Sequence, residues 1–194
     1  SHGYPELSCF DTFFSKMINT FIYISRDQAQ YHKIRLKIRT RGKIIHNGVD
    51  IFEFLRPYDE EEIHNEFGFG SETKLVGIVG RIDWWKGHEY FLEAMAKVVQ
   101  STPDVKGLII GDLEKNVVTQ KNLRYFEKLK SLVKSLDLGE KIVFTGFRQD
   151  VPRLISALDV LVHASSIPEP FGLVVIEGMA AGKPVVATAA GGVL

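Results

Sequence analysis

Two cations lie close together in a setting that suits phosphate binding. Arg81 follows an apolar run that ends in Gly80, and Lys86 precedes Gly87 at the expected start of a helix. A helix N-terminus presents unpaired backbone N–H groups, and two cations beside it can hold a diphosphate. The alternative is a pair of solvated surface side chains. The segment predicts a diphosphate clamp.

A second segment with candidate site residues begins at Glu169. This glutamate follows an apolar run and precedes Pro170, a residue that suits the first turn of a helix. We expect that helix to start at Pro170, so that the N–H groups of Phe171, Gly172 and Leu173 face a crevice and can bind phosphate. The other interpretation of Glu169 is a carboxylate that stabilises a helix N-terminus.

Glu177 lies about two turns further along the same predicted helix, in an otherwise apolar run. A buried carboxylate costs stability unless it has a partner. The hydroxyls of a polyol are suitable partners, because one carboxylate can accept two hydrogen bonds from a cis-diol. The alternative is a structural carboxylate paired with arginine or lysine. We therefore expect Glu177 either to bind a sugar ring or to form an internal ion pair.

Alternating elements would bring these residues together. Short apolar runs predict strands at Leu75–Val79, Gly107–Ile110, Ile142–Thr145, Val160–His163 and Pro184–Ala187. Helical spacing or helix-start residues predict helices over 91–99, 123–136, Asp150–Ala157 and Pro170–Ala181. This alternation is typical of a doubly wound, mostly parallel α/β sheet with right-handed crossovers. In such sheets ligands bind beyond the carboxyl ends of the strands.

Glycine stands at the ends of four of the five predicted strands: Gly80, Gly111, Gly146 and the pair Gly191-Gly192. Glycine permits tight turns and close approach of the backbone to a ligand. Each glycine alone could simply turn the chain. Their recurrence at one sheet edge favours a binding site there.

Composition narrows the class of protein. The 194 residues carry 24 Lys+Arg against 24 Asp+Glu and one cysteine, Cys9. A net charge of zero argues against nucleic acid or an anionic membrane as the main partner. A single cysteine excludes an intrachain disulfide, and no apolar run approaches the roughly 20 residues that span a bilayer. We expect a soluble globular protein of the intracellular type.

The first seventy residues show weaker patterns. We expect a strand over Thr20–Ile24, a helix over Asp27–Leu36 and a strand over Lys43–Ile45. Phe52–Gly70, which contains a proline and a run of acids, is expected to be a linker with one short helix. No internal repeat is present.

Five motifs in the expected order resemble retaining GT-B glycosyltransferases of family 4. Glu169 and Glu177, within Glu-Pro-Phe-Gly-Leu and before Ala-Ala-Gly-Lys-Pro-Val-Val-Ala-Thr, resemble that family's E-x7-E segment. The other matches are Asn47–Asp50 (NGVD), Gly80–Gly87 (G-R-x4-K-G), Ile142–Gly146 (V-x-F-x-G, with isoleucine first) and Gly191-Gly192. The resemblance covers roughly residues 43–194.

The resemblance implies a function for each motif. The fold would be the Rossmann-like, nucleotide-sugar-binding half of a GT-B enzyme, which transfers a hexose with retention from a nucleotide diphosphate sugar to a glycan or lipid-linked acceptor. Cofactors and metals would not be needed. The implied site residues are Arg81, Lys86, Gly80 and the backbone of Phe171, Gly172 and Leu173 for the diphosphate, Glu177 for the ribose, Glu169 for the donor sugar, and Gly146, Phe147 and Arg148 beside the nucleobase.

The resemblance also implies a domain organisation. Residues 1–46 would be a remnant of the acceptor-side N-terminal domain, 47–72 an interdomain segment and 73–194 the nucleotide-sugar-binding domain, incomplete at its C-terminus. We expect the chain alone to bind donor and to transfer sugar poorly. A cytoplasmic location is expected, and peripheral association of the full-length enzyme with the inner face of the membrane stays open.

Three alternatives remain at this point: a sugar-phosphate synthase with the same fold, a nucleotide-sugar epimerase, and a non-catalytic nucleotide-sugar-binding module.

Overall fold

The computed structural model describes residues 13, 15, 17–36, 41–113 and 119–194. Its strands are β1 (Thr20–Tyr23), β2 (Arg41–Ile44), β3 (Lys74–Val79), β4 (Val105–Ile110), β5 (Ile142–Gly146), β6 (Val160–His163) and β7 (Val185–Ala187). Its helices are α1 (Arg26–Leu36), α2 (Ile51–Phe54), α3 (Glu60–Glu66), α4 (His88–Ser101), α5 (Gln120–Ser135), α6 (Val151–Ser156) and α7 (Leu173–Ala180).

Five parallel strands form the larger sheet in the order β5-β4-β3-β6-β7. The central strand β3 pairs with β4 on one side and with β6 on the other, so that Ile78 lies opposite both Ile109 and Val162. The predicted mostly parallel α/β sheet is confirmed. Because the chain runs outward from β3 to β5 and then returns to β6, the strand order reverses between β3 and β6. Ligands bind at such a switch point, beyond the carboxyl ends of the strands.

The two faces of this sheet carry separate apolar clusters. On β4, Ile109 belongs to one cluster, whereas Leu108 and Ile110 belong to the other. This division follows from the alternation of side chains along a strand. The first cluster also holds Phe91, Leu92, Met95, Leu129 and Val133 from α4 and α5. Helices cover the sheet on both faces, which explains why the strands are nearly continuous apolar runs.

Two compact units make up the chain. The first contains the described residues up to Gly48 together with Ile167–Leu173 and Thr188–Leu194, and its sheet is the parallel pair β1-β2. The second contains Val49–Ser166 and Val174–Ala187 and holds the five-stranded sheet. The domain limits at residues 46 and 72 stay a prediction. None of the helices in the described part of the chain is long and apolar enough to cross a membrane.

The structure corrects the predicted start of the helix that follows Glu169. The helix expected over Pro170–Ala181 begins only at Leu173, because the preceding Gly172 has a left-handed backbone with φ of +82°, which does not fit a right-handed helix. Pro170 therefore lies outside the first helical turn. Of the three amides expected at the helix start, only that of Leu173 belongs to the helix.

The segment Phe52–Gly70 was expected to hold one short helix, and it holds two. Each begins after an aspartate that caps it: Asp50 accepts a hydrogen bond from the Phe52 N–H at 3.0 Å, and Asp59 accepts one from the Glu61 N–H at 2.9 Å. An aspartate at this position satisfies an unpaired N–H of the first turn. Both caps are visible in the sequence.

Candidate functional site

A cavity of about 370 Å³ lies beyond the carboxyl ends of β3, β4 and β5. Its lining residues all belong to the second unit: Val79, Gly80, Arg81, Ile110, Gly111, Asp112, Leu113, Phe147, Arg148 and Val151. Four of the residues predicted from the sequence (Gly80, Arg81, Phe147 and Arg148) thus line one cavity. Its volume is in the usual range for small-molecule sites.

Arg81 is held at the mouth of the strands by backbone bonds on both sides. The Gly80 N–H donates to the Ile110 carbonyl at 3.0 Å, and the Ile82 N–H donates to the Asp112 carbonyl at 3.0 Å. Gly111 makes this approach possible, since a Cβ there would stand 2.1 Å from the Gly80 carbonyl oxygen. The cation therefore projects from a well-fixed backbone.

Lys86 is presented by the connection between β3 and α4. Asp83 caps a single 3₁₀ turn over Trp84–Lys86, accepting the Trp84 N–H at 2.8 Å. Gly87 then adopts φ of +78° with its Cα against Ala164, where a Cβ would meet the Ala164 carbonyl oxygen at 1.9 Å. The Lys86 stem runs past Gly80, since a Cβ at Gly80 would lie 3.6 Å from the Lys86 Cδ. Lys86 and Arg81 are thus on one connection.

His88, which the sequence analysis did not single out, is fully buried at the first position of α4. Burial lowers the pKa of its ring to about 4. The imidazole is therefore neutral near pH 7 and adds no positive charge beside Lys86. Its place in the sequence, directly after a helix-starting glycine, gives no sign of such burial.

Arg148 is engaged by carboxylates. Its guanidinium pairs with Asp150 at 2.7 Å and also with Glu66, and Arg153 contacts the same two acids at 3.1 and 2.9 Å. The hydrogen bond from Arg148 lowers the pKa of Asp150 to about 2, and both arginines lower the pKa of Glu66. This network ties the loop after β5 to α3. Phe147, in the same loop, is exposed, with 61% of its surface accessible.

Gly146 begins this loop with φ of +70°, and its carbonyl accepts the Gly111 N–H at 3.2 Å. The loop and the β4 end are thus joined beside the cavity.

Glu169 lies in the first unit and is buried, with 8% of its surface exposed. Its backbone forms a parallel bridge with Gly191, and its carbonyl accepts the Gly192 N–H at 2.7 Å. Phe171 packs beside His46, with 6.0 Å between the ring centroids. The first unit therefore gathers Glu169, the Phe171–Leu173 backbone and the glycine pair.

Glu177 lies on α7 in the second unit and is partly buried. Burial raises the pKa of its carboxyl above the ordinary value. Among the residues that the structure describes, no arginine or lysine forms an ion pair with it. The internal ion pair that the sequence also allowed is absent from that part of the chain.

In the second unit, Arg81 and Lys86 are cations of the kind that bind anions, and Glu177 is a carboxylate that can accept hydrogen bonds from hydroxyls. No group of three or more His, Cys, Asp or Glu residues with metal-binding geometry occurs in the described ranges.

A model of the family described as glycosyl transferases group 1 matches residues 59–194. The chain belongs to this family. The matched range includes the cavity, the β3–α4 connection, Glu169 and Glu177.

Two relatives illustrate the likeness in sequence. The lipopolysaccharide core biosynthesis mannosyltransferase LpsB of Rhizobium meliloti (strain 1021) is 33% identical over 148 residues, which are 76% of this chain and 40% of LpsB. The D-inositol 3-phosphate glycosyltransferase of Mycobacterium marinum (strain ATCC BAA-535 / M) is 35% identical over 154 residues, 78% of this chain and 31% of that enzyme. The chain spans less than half the length of these relatives.

A solved structure supports the fold. HepE (Alr3699) of Anabaena in complex with UDP and glucose superposes with a TM-score of 0.83 and 31% sequence identity, covering 96% of this chain and 50% of HepE. The expected architecture, the Rossmann-like half of a GT-B glycosyltransferase, is confirmed.

Proposed function

We propose that this chain is the donor-binding half of a retaining, family 4-type glycosyltransferase. The reaction would move a hexose from a nucleotide diphosphate sugar to a glycan or lipid-linked acceptor. One observation carries the proposal: Arg81 lines a cavity of about 370 Å³ next to the point where the strand order reverses. Membership of the group 1 family supports it.

Each site residue has a role in the proposal. Arg81 and Lys86, together with the Gly80 backbone, bind the diphosphate, and the amides of Phe171, Gly172 and Leu173 complete its cradle. These fixed donors stabilise the charge that develops on the departing diphosphate, so that no divalent metal is required. In the same proposal Glu177 binds the ribose hydroxyls and Glu169 contacts the donor sugar. The residues beside the base are Gly146, Phe147 and Arg148.

The Arg148 contacts refine that last assignment. Since its guanidinium is engaged by Asp150 and Glu66, we propose that Arg148 positions the loop and that the exposed ring of Phe147 is the side chain nearest the base.

UDP-glucose is the first donor to test, because HepE, at 31% identity, was crystallised with UDP and glucose. The domain limits 1–46, 47–72 and 73–194 and a cytoplasmic location belong to the same proposal.

Isothermal calorimetry with UDP-glucose, GDP-mannose and ADP-glucose tests the proposal. We expect one of them to bind, with equal affinity in EDTA and in magnesium. Arg81→Ala should weaken that binding at least about tenfold, the size of a lost hydrogen bond to a charged group. Arg124→Ala is the matched control, because Arg124 is exposed on α5. It should bind as the unmodified chain does. Absence of binding by all three, or normal binding by Arg81→Ala, would refute the phosphate clamp.

A further inference from the structure

The glycine pair Gly191-Gly192 lies against the backbone that carries Glu169. A Cβ at Gly191 would stand 2.3 Å from the Glu169 carbonyl oxygen and 2.8 Å from its nitrogen. A Cβ at Gly192 would stand 2.1 Å from the Pro170 carbonyl oxygen and 2.7 Å from the Phe171 Cα. Real Cβ atoms do not approach so closely, and every atom named is backbone, which has no flexible end to move aside. Two consecutive glycines are therefore required by the neighbouring chain.

Two further contacts join the same segments. Glu169 and Gly191 form a parallel bridge, and the Gly192 N–H donates to the Glu169 carbonyl at 2.7 Å. This distance is at the short end of the normal range for an N–H···O hydrogen bond. The backbone of Glu169 is thus fixed through its carbonyl, and the Glu169 side chain is buried.

We propose that Gly191 and Gly192 are positioning residues for Glu169. Their lack of side chains lets the two segments meet, and this contact sets where the Glu169 carboxylate stands relative to the donor sugar. The inference rests on the proposed role of Glu169. It differs from the expectation that glycines at the strand ends serve close approach to a ligand, because here the close approach is to the chain itself.

A side chain at this contact should cause a specific loss of binding to the donor sugar. A side chain at Gly191 must displace the Glu169 backbone by tenths of an ångström or more, and displacement of about 1 Å at a reacting group can cost about 100-fold in rate. The atoms nearest that Cβ belong to Glu169 and Pro168, not to the Phe171–Leu173 backbone assigned to the diphosphate, so binding of the nucleotide part should change little. The sugar-dependent part of the affinity should be lost.

The experiment compares UDP-glucose with UDP by calorimetry (or GDP-mannose with GDP, should the donor panel select guanine). We expect Gly191→Ala to lose most of the difference in affinity between sugar nucleotide and nucleotide, about tenfold, while UDP affinity is kept. Gly192→Ala, which also displaces the Phe171 backbone assigned to the diphosphate, should lose the same difference and weaken UDP binding as well. Glu169→Gln should lose the same difference. The double variant Gly191→Ala/Glu169→Gln should lose no more than either single one, because the two act on one contact.

Matched glycines separate this contact from general effects of substitution. Gly139→Ala is the control for Gly192→Ala, since neither position has a left-handed φ and no atom lies within 4 Å of a Cβ at Gly139. Gly182→Ala is the control for Gly191→Ala, because their φ values are +67° and +68° while Gly182 has open space around it. Both controls should retain the full sugar-dependent difference.

Each outcome decides between explanations. Should Gly191→Ala keep the difference, or lose UDP and UDP-glucose affinity equally, the positioning role is overturned while the donor site stands. Should Glu169→Gln keep it, the proposed role of Glu169 fails and the inference with it. If Gly191→Ala does not fold, hydrogen exchange in the unmodified chain is decisive: UDP-glucose must slow exchange of the Gly192 N–H more than UDP does, and equal protection overturns the inference.

Discussion

At the scale of single residues, two charged side chains of the predicted site, Arg148 and Glu177, have opposite surroundings. Arg148 is surrounded by carboxylates, whereas Glu177 is partly buried with its pKa raised and no ion pair among the described residues. A network of this kind stabilises the fold. A desolvated carboxylate without a cation lowers stability, which is a usual cost of a binding residue. Removing a carboxylate charge should therefore raise stability at Glu177 and lower it in the Arg148 network.

Glu177→Gln should stabilise the chain and weaken donor binding. Because the folded-state pKa of Glu177 lies above its unfolded value of 4.5, the folded chain binds more protons in that window, and stability falls as pH rises through it. Removing the charge should raise Tm at pH 7 and have little effect at pH 4. Donor affinity should fall about tenfold through the lost hydrogen bonds. Thermal unfolding at both pH values and calorimetry measure this; a lower Tm at pH 7 contradicts it.

Asp150→Asn should destabilise the chain in the opposite pH range. The pKa of Asp150 is lowered from 3.8 to about 2, so its contribution is present above pH 3.8 and is lost as pH falls through about 2. We expect a loss of about 1 kcal/mol at pH 6, since the pairs are partly exposed, and a much smaller loss at pH 2, where the carboxyl is about half protonated in the folded chain. Urea unfolding at the two pH values gives the comparison. The control is Glu53→Gln, which removes an exposed pair with Arg56 and should change stability by less than about 0.5 kcal/mol.

At the scale of elements, the connection from β3 to α4 combines a fixed turn with a close crossing. Asp83 closes the 3₁₀ turn, and Gly87 lets the chain pass Ala164, which follows the end of β6. This joins the two strands on either side of the switch point. The position of Lys86 therefore depends on the packing of a glycine that contacts no ligand in our proposal.

Gly87→Ala should cost more than the same change at Gly182. Both glycines have left-handed φ values, +78° and +67°, but only Gly87 has a backbone carbonyl 1.9 Å from the added Cβ. We expect about 1–3 kcal/mol of extra destabilisation at Gly87, the usual range for overpacking. Urea unfolding of the two variants measures the difference. Equal losses would show that backbone conformation alone, and not the Ala164 contact, determines the cost.

At the scale of the whole molecule, a neutral chain carries a local cationic site. The net charge is zero, yet Arg81 and Lys86 are placed on one connection beside the cavity. The chain also spans 50% of HepE and 40% of LpsB. We expect acceptor binding in such enzymes to require the part of HepE and LpsB that has no counterpart in this chain.

The 194-residue chain should accordingly bind a nucleotide sugar without efficient transfer. Holding both substrates in place supplies about 7–11 kcal/mol of a reaction barrier, and the chain is expected to hold only the donor. The measurement is transfer of radiolabelled glucose from UDP-glucose to an oligosaccharide acceptor, alongside calorimetry on the same sample. Rapid transfer by this chain would contradict the assignment of acceptor binding to another domain.

Much of the fold was predictable because its signals are local. The apolar runs of β3 to β7 and the helical spacing of α4 and α5 follow from burial on both faces of a parallel sheet. The start of α7 was predicted wrongly, since a proline favours a first turn but Gly172, two residues later, has a left-handed backbone that does not fit a right-handed helix. The site residues assigned from the resemblance remain predictions, although the cavity brings four of them together.

The sequence by itself determined the elements, the parallel sheet and the types of residue at its binding edge, because apolar period, caps and glycines act within a few residues. Only the tertiary structure decided what those residues contact. It placed Arg148 among carboxylates and buried His88, and it set the glycine pair against Glu169. Such contacts join segments far apart in the chain. Their distances depend on packing that no local pattern records.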